Sequence, residues 1–309
     1  MKKIAIITLD TEPDCDTKWV RSNPLTFNSV TVGVQSLLQP LFDIYGVRPV
    51  YFVSPEVTEH PESVAVLKQI SDDGRCEIGN HLHGEYVEPE KEFDVYDGSD
   101  SNAYACFDYS DEVEFEKIKN YDARLTHIFG KKPTSFRAAR YGADSSTIRS
   151  LMKLGYTVDS SVTPNIDWSY QRGPNFKGYL DQPYWVDHTD FSKEDENSSF
   201  LEVPITIGQK RLPFLPDKWL FYRWLRPTHM TVWEQKRLIN DFMRKNKDKD
   251  HVVLCLMFHS MEVIPGATPF VRSWFESRLF MRRLEKTIQY LQKQGFEFHT
   301  LAESQHKKV

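Results

Sequence analysis

The segment Ile4-Ala5-Ile6-Ile7-Thr8-Leu9-Asp10-Thr11-Glu12-Pro13-Asp14 joins the first apolar run of the chain to a cluster of three carboxylates. We predict that residues 4–9 form a buried parallel strand, because they make up a short, nearly continuous run of aliphatic side chains. The carboxylates then lie at the carboxyl end of that strand, where active sites form in barrels of parallel strands. Since neighbouring carboxylates repel one another, the cluster indicates either a bound cation or a retained proton. We interpret it as part of a divalent-metal site.

Chain length and composition favour one domain. The chain has 309 residues, of which 40% are hydrophobic and 13% aromatic, and this fits a single α/β barrel over residues 1–309. The formal net charge of -5 gives no electrostatic basis for binding nucleic acid or an anionic membrane surface. We therefore expect a small-molecule or polysaccharide substrate.

The cysteines lack the spacing of a zinc ribbon or a redox dithiol and the density of a disulfide scaffold. They are Cys15, Cys76, Cys106 and Cys255. The first apolar run is shorter than the hydrophobic region of a signal peptide, and no other segment approaches membrane-spanning length. We expect a cytoplasmic protein without stable membrane insertion, and the sequence leaves the oligomeric state open.

Short apolar segments alternate with segments of helical periodicity. Predicted strands cover residues 4–9, 50–53, 76–80, 135–137, 156–159 and 252–258, and predicted helices cover 31–45, 61–70, 112–129 and 145–154. This alternation predicts a parallel sheet, closed or open. Residues 85–110 and 165–199 lack a clear period, and we interpret them as the walls of a cleft.

Polar residues stand where several of these strands end. In barrels of parallel strands the active site is built from loops at the carboxyl ends of different strands. Residues far apart in sequence are therefore expected to converge on one cleft. They are Asp10, His81, Arg137, Asp159 and His259.

Two histidines stand two residues apart at the end of one predicted strand. In an extended segment this spacing places His81 and His83 on the same face, where both imidazoles reach one ion. Two histidines and one carboxylate form a typical hydrolytic zinc site with a position left for water. We predict Glu12 as the carboxylate, with Asp14 as the alternative. His259 ends a strongly apolar strand and, taken alone, is more often a packed residue than a catalyst.

The order of these motifs resembles the polysaccharide deacetylase (NodB-homology) family of carbohydrate esterases, over roughly residues 3–300. The family motif TFDDG corresponds to residues 8–14, EIGNH to residues 77–81, and RxPYG to residues 136–142. An Asp with a later Trp corresponds to residues 159–161 and 167–168, LxH to residues 257–259, and YGVKATFFV to residues 45–53. The nearest form is a divergent branch with HLH, RAxRYG and HSMEVIPGATP signatures, associated with cell-surface polysaccharide synthesis.

The chain departs from the usual family pattern at three positions. Thr11 replaces the second aspartate of the first motif, so the ligand shifts to Glu12, which strand alternation places on the same face as Asp10. Glu85 stands where the second histidine is expected, so the ligand is either His83 or Glu85, and we favour His83. Ala139 replaces the proline of the third motif.

The resemblance implies a distorted (β/α) barrel with about seven parallel strands. It also implies a metal-dependent hydrolase that removes an N-acetyl group from a sugar or polysaccharide precursor. The metal is expected to be zinc, held by Glu12, His81 and His83.

Further roles follow from the same resemblance. Asp10 is the expected general base, held ionised by Arg137, and His259 is the acid that protonates the departing amine. Asp159 is expected to keep the His259 imidazole charged. The expected substrate-binding residues are Arg140, Tyr141 and Trp168.

Two other functions remain open. One uses the same barrel and metal to hydrolyse a non-sugar cyclic amide or ureide. The other is a carbohydrate-binding protein that has lost catalysis, which Thr11 and the missing histidine at position 85 keep open.

Overall fold

The computed structural model describes residues 1–92, 106–210, 221–228 and 230–304. The strands are β1 Lys2–Thr11, β2 Val50–Val53, β3 Glu77–Asn80, β4 Ser135–Phe136, β5 Val158–Asp159, β6 Tyr184–Asp187, β7 Asp190–Glu194, β8 Leu201–Glu202, β9 Ile207–Lys210, β10 Phe221–Trp224, β11 His251–His259 and β12 Glu297–Phe298. The helices are α1 Gln39–Tyr45, α2 Pro55–Thr58, α3 Pro61–Asp72, α4 Asp111–Phe129, α5 Ser145–Lys153, α6 Val232–Lys245, α7 Trp274–Lys293 and α8 Leu301–Ser304. A π-helical segment, Ser29–Leu38, leads directly into α1.

The main sheet contains seven strands joined by parallel pairing in the order β11, β1, β2, β3, β4, β5, β8. The antiparallel strands β6 and β7 extend it beyond β8, and β12 pairs with β1. The Thr206 amide donates to the Cys255 carbonyl oxygen (3.0 Å), so the segment after β8 returns to β11. The sheet forms a half-barrel flanked by helices, which confirms the predicted (β/α) fold with about seven parallel strands.

Side chains of β1 alternate between two apolar clusters. Ile4 and Ile6 pack in a cluster built almost entirely from strand residues, which is the inside of the barrel. Ala5 and Ile7 pack in the larger cluster that includes the helices. Because successive strand residues face opposite sides, Asp10 follows Ile4 and Ile6 on the inner face.

Several elements were not predicted from the sequence, and one region predicted to be irregular contains regular structure. Residues 165–199, expected to be irregular, contain the β6–β7 hairpin, whose inward residues Tyr184, Val186 and Phe191 are buried. The helices α6 and α7 were not predicted. Of the proposed wall at 85–110, residues 93–105 lie outside the described residues. Among the described residues, no helix combines the length and apolarity needed to cross a bilayer.

Candidate active site

A cleft of ≈ 790 Å³ opens at the carboxyl ends of the barrel strands. Its walls bring together eight of the ten residues that the sequence predicts for the site. These are Asp10, Glu12, His81, His83, Arg140, Tyr141, Trp168 and His259. Arg137 lies fully buried beneath this set and contacts Asp10, whereas Asp159 belongs to a separate buried pair described below.

Three predicted ligands converge on one point of the cleft. Glu12 Oε1 lies 2.9 Å from His81 Nε2 and 3.5 Å from His83 Nε2. The backbone of Glu12 is held on both sides, because its amide donates to Ser260 Oγ (3.3 Å) and its carbonyl accepts from Ser29 Oγ (2.7 Å). Thr11 lies on the opposite face of the strand and donates to the Leu9 carbonyl oxygen, so strand alternation directs Glu12 to the ligand position.

The remaining nitrogen of each imidazole has its own partner. His81 Nδ1 lies 2.8 Å from the Arg137 carbonyl oxygen, which accepts its proton. His83 Nδ1 lies 2.9 Å from Glu56 Oε1, a buried carboxylate at the start of α2. Metal-binding histidines usually donate their second N–H to a carbonyl or a carboxylate, and this fixes the tautomer that presents Nε2 to the ion. His81 meets this condition. His83 meets it in the tautomer that donates from Nδ1 to Glu56, and Arg21 Nη2 also lies 2.9 Å from this nitrogen.

Sequence reasoning missed the two residues behind His83. Arg21, from the loop after β1, places Nη1 2.9 Å from Glu56 Oε1 and donates to the Tyr86 hydroxyl (2.9 Å). Although burial raises the pKa of Glu56, the charges of His83 and Arg21 outweigh it and lower that pKa to about 2. Glu56 is therefore an ionised partner for His83.

These residues fit a divalent cation. Two imidazole nitrogens and one carboxylate oxygen lie within 4.8 Å of one another, which is the ligand set of a hydrolytic zinc site. Burial raises the pKa of Glu12, but its hydrogen bonds to His81 and His83 outweigh burial and hold that pKa well below its usual range. The carboxylate is thus in the form that binds a metal.

Asp10 lies beside this ligand set and is paired with Arg137. Arg137 Nη1 donates to Asp10 Oδ1 (2.7 Å), while its other nitrogens donate to Thr8 Oγ1 (2.9 Å) and the Ser160 carbonyl oxygen (2.8 Å). Burial raises the pKa of Asp10, but the Arg137 charge, together with His81 and His259, lowers it overall. Asp10 is therefore an ionised, oriented carboxylate that can accept a proton.

His259 lies beside Asp10 at the carboxyl end of the neighbouring strand. The register of β1 and β11 pairs the two residues, and His259 Nε2 lies 3.9 Å from Asp10 Oδ2. The other side of the imidazole meets Glu262, three residues later: Glu262 Oε1 accepts from the His259 amide (2.7 Å) and lies 3.2 Å from Nδ1. Arg226 pairs with Glu262 and also lies 3.0 Å from His259 Nδ1. Burial lowers the pKa of His259, but the hydrogen bond to Glu262 outweighs it and raises that pKa overall.

Asp159 does not have the partner expected for it. Its carboxylate accepts from the Ser161 amide (3.0 Å) and hydroxyl (2.8 Å), and the parallel register of β5 and β8 places it beside Glu202. The groups that hold the His259 imidazole are Glu262 and Arg226 instead. The sequence analysis did not assign Arg226 to the site, whereas the structure buries it after β10 beside His259.

The two alternative ligands, Asp14 and Glu85, lie outside the ligand set. Asp14 accepts from the Ser29 amide (2.7 Å) and the Asn28 amide (2.8 Å), so it caps the helical segment that follows. Glu85 is fully buried and its Oε1 lies 3.9 Å from Arg21 Nη1. The ligand atoms that lie within 4.8 Å of one another come from Glu12, His81 and His83, so the geometry favours His83 over Glu85.

Aromatic side chains form the wall opposite the ligand set. The rings of Tyr141 and Trp168 stack with centroids 5.8 Å apart, and Trp224 lies 5.9 Å from Tyr141. Trp168 Nε1 donates to Thr163 Oγ1 (2.8 Å), which fixes the indole. Tyr170, 73% exposed, continues the stack 6.2 Å from Trp168. This aromatic wall offers flat apolar faces to a ring-shaped ligand.

Residues 16–158 match the family model described as polysaccharide deacetylase. The match agrees with the family resemblance inferred from the motifs. No curated protein matches the chain.

Solved structures share the fold at low sequence identity. A candidate polysaccharide deacetylase from Mycobacterium smegmatis is 14% identical, with a TM-score of 0.53 over 97% of this chain and 93% of that one. A candidate glycoside hydrolase/deacetylase from Parabacteroides distasonis is 11% identical, with a TM-score of 0.62 over 96% and 68% of the two chains. Puue allantoinase is 13% identical, with a TM-score of 0.56 over 98% and 88%. At this identity the three structures establish the fold alone.

Proposed function

We propose, from the premise that this chain is a member of the polysaccharide deacetylase family, that it is a metal-dependent hydrolase of N-acetylated sugars. Its substrate is a polysaccharide or a precursor of one, within cell-surface polysaccharide metabolism. The reaction cleaves the amide of an acetamido group and yields acetate and a free amine.

One observation carries this proposal. A single cleft contains the Glu12, His81 and His83 set, and the two groups that an amide hydrolysis needs, Asp10 and His259, flank that set. Amide hydrolysis requires a base for the attacking water and an acid for the departing amine. Asp10 is ionised and His259 has a raised pKa, so each favours the protonation state that its role needs.

A divalent ion bound by Glu12, His81 and His83 would act as a Lewis acid toward the acetyl oxygen and would favour ionisation of water. Asp10 accepts the proton of the attacking water. Arg137 holds Asp10 in place through its hydrogen bond of 2.7 Å and keeps that carboxylate ionised until the proton arrives.

His259 supplies the proton to the departing amine from Nε2, the nitrogen that faces Asp10. Glu262 and Arg226 occupy the Nδ1 side, so the imidazole keeps one orientation in the cleft. The carboxylate of Glu262 also stabilises the charged imidazole that donates this proton.

The aromatic wall supports a sugar as the ligand. Tyr141, Trp168 and Trp224 present ring faces beside the reacting groups, and the apolar face of a pyranose packs on such surfaces. Trp168 is fixed by its hydrogen bond to Thr163, so this surface is pre-organised.

The direct test combines metal analysis with acetate release. Purified protein is expected to contain one divalent ion per chain and to release acetate from members of a panel of N-acetylated sugars. His83→Ala is expected to lose both the ion and the activity. His127→Ala, which changes an exposed histidine on α4, is the matched control and is expected to keep both.

Three outcomes contradict the proposal in different ways. A native protein that binds no divalent ion would favour a carbohydrate-binding protein without catalysis. A bound ion without acetate release, but with hydrolysis of a cyclic ureide, would favour the amidohydrolase alternative. If His83→Ala lost the ion but still released acetate, the reaction would not depend on the metal.

A further inference from the structure

The cleft contains one arginine that differs from all its neighbours. Three arginines at the site are neutralised by carboxylates: Arg21 by Glu56, Arg137 by Asp10, and Arg226 by Glu262. The fourth, Arg140, lines the cleft and is exposed. Among the described residues, no carboxylate lies within 4.0 Å of its guanidinium.

The backbone holds Arg140 in an unusual conformation. Its φ is 51° and its ψ is 23°, and the next residue, Tyr141, has a φ of 59°. Residues other than glycine rarely adopt this left-handed backbone conformation. Those that do are concentrated at ligand sites, where the surrounding structure stabilises the conformation. The turn is anchored from both sides, because the Ala138 amide donates to Ser161 Oγ (2.9 Å) and the Tyr141 amide donates to the Ala138 carbonyl oxygen (3.0 Å).

Arg140 also stands next to the aromatic wall. Tyr141 begins that wall, stacked 5.8 Å from Trp168. A ring bound on Tyr141 and Trp168 therefore lies within reach of a guanidinium from the same turn. Arginine binds carboxylates and phosphates through paired hydrogen bonds, whereas a neutral sugar offers it no charge.

The charges of the cleft favour an anion. Arg21, Arg137 and Arg226 each pair with one carboxylate, so the guanidinium of Arg140 adds positive charge to the cleft. A divalent cation held by Glu12, His81 and His83 would add to this charge. Opposite charge attracts the ligand and lowers the cost of desolvating Arg140.

We infer that the sugar substrate carries an oxyanion, either a carboxylate or a phosphate, and that Arg140 pairs with it. This inference rests on the proposed deacetylase function and narrows its substrate class. Arg140 is a specificity-determining residue: it selects anionic N-acetylated sugars over neutral ones.

The test compares three sugars that differ in one group. Methyl N-acetylglucosaminide is neutral, N-acetylglucosamine 1-phosphate carries a phosphate in place of the methyl group, and methyl N-acetylglucosaminuronide carries a carboxylate in place of the C6 hydroxymethyl group. The wild type is expected to show a kcat/KM for acetate release at least about 10-fold higher on one of the anionic sugars, as a charge-assisted contact allows. The sugar that is preferred identifies the oxyanion.

Variants of Arg140 test whether this residue causes the preference for an anionic sugar. Arg140→Gln is expected to reduce it to less than about 3-fold, mainly through KM, and Arg140→Lys to keep part of it, since lysine retains the charge without the planar fork. Arg278→Gln, which changes an exposed arginine on α7, is expected to keep it in full. Equal kcat/KM on neutral and anionic sugars, or a preference unchanged in Arg140→Gln, would overturn the inference.

A binding measurement separates this inference from the proposed reaction. Isothermal titration of Asp10→Asn, and of the wild type with the deacetylated products, compares Kd values without turnover. Tighter binding of the anionic sugar, lost when Arg140→Gln is added, supports the oxyanion site even if no acetate is released. Equal binding of neutral and anionic sugars overturns it, even if the protein proves to be a deacetylase.

Discussion

Two groups of carboxyl groups in this protein are largely shielded from solvent, and their pKa values are shifted in opposite directions. We name them the cleft carboxylates, which are Asp10, Glu12, Glu56 and Glu262, and the rear carboxyl groups, which are Glu114, Asp159 and Glu202. The pKa of every cleft carboxylate is lowered, whereas the pKa of every rear carboxyl group is raised. Burial alone would raise the pKa of every one of these carboxyl groups, so the difference between the two groups arises from their partners.

The partners of the two groups differ in charge. Each cleft carboxylate faces an arginine or a histidine, as Asp10 faces Arg137 and Glu56 faces His83. The rear groups face neutral hydroxyls or another carboxyl group. Burial, with the neighbouring carboxyl group of Asp159 in the β5 and β8 register, raises the pKa of Glu202 well above its usual range and favours the protonated form, which can donate to Asp159. Buried charge is concentrated at the cleft, where chemistry can use it.

The largest contrast is expected from the same change, carboxyl to amide, made once in each group. Asp10→Asn removes the proposed base, and because a positioned base contributes about 10²–10⁴-fold, kcat should fall by that factor. The measurement is the acetate-release rate, with metal content determined on the same sample.

The matched change in the rear group is Glu202→Gln. Its amide N–H can donate to Asp159 as the protonated carboxyl group does, so activity and melting temperature should stay close to the wild type. If Glu202→Gln abolished acetate release while Asp10→Asn retained it, the division into two groups would be wrong.

A smaller effect is expected for Glu56, which lies behind the proposed metal ligand His83. Glu56→Gln replaces the ionised partner of His83 Nδ1 with a neutral one, and loss of such a partner typically weakens metal binding by about 10–100-fold. Competition with a chelator measures this affinity. Glu59→Gln, on the same short segment but paired with Arg124 at the surface, is the control and should bind metal as the wild type does.

The effect of Glu262→Gln should be smaller again and should appear in the pH profile. Glu262 raises the pKa of His259, so its loss lowers that pKa, and the basic limb of the kcat profile moves to lower pH. We expect about a 10-fold loss of kcat at neutral pH, less than the roughly 10²–10⁴-fold that removal of a positioned acid itself would cost, with metal content unchanged. A basic limb that does not move would mean that His259 is not the group that titrates.

The sequence predicted the cleft carboxylates on β1 but not those that support the histidines. Strand alternation from Ile4 and Ile6 places Asp10 and Glu12 inside the barrel, and this rule needs no tertiary information. Glu56 lies at the start of a short helix, and Arg21 lies in an aperiodic loop. Neither position carries a pattern that distinguishes it from a surface residue.

Two other residues show why partners are harder to predict than elements. Glu262 is only three residues from His259, so their short turn could have indicated the pair. Asp159 does not contact His259, because the register of β5 and β8 places Glu202 beside it. The register between strands that are distant in sequence cannot be predicted from a local motif. Six of the seven parallel strands were predicted, and the two-residue strand β8 was missed. The helix α6 was also missed, although its capping box, Thr231 with Glu234, is visible in the sequence.

The smallest effect concerns stability rather than activity, and it tests the rear group directly. Burial, with the nearby charge of Asp144, raises the pKa of Glu114 to about 7, although hydrogen bonds from Thr147 and Ser146 act against this rise. In the unfolded chain the carboxyl group ionises near pH 4.5, so between pH 4.5 and about 7 the folded state holds more protons than the unfolded state. The free energy of unfolding should therefore decrease as pH rises through this window, by on the order of 3 kcal/mol, and then level off.

Glu114→Gln should remove this decrease, because glutamine does not titrate, and the variant should be more stable than the wild type at pH 8. Urea unfolding at a series of pH values measures the slope, with Glu112→Gln on the exposed face of α4 as the control that keeps it. If the wild type and Glu114→Gln lost stability in parallel between pH 4.5 and 7, Glu114 would be ionised in the folded state. Burial without a cationic partner would then not be sufficient to keep a carboxyl group neutral in this barrel, and the contrast with the cleft would need another cause.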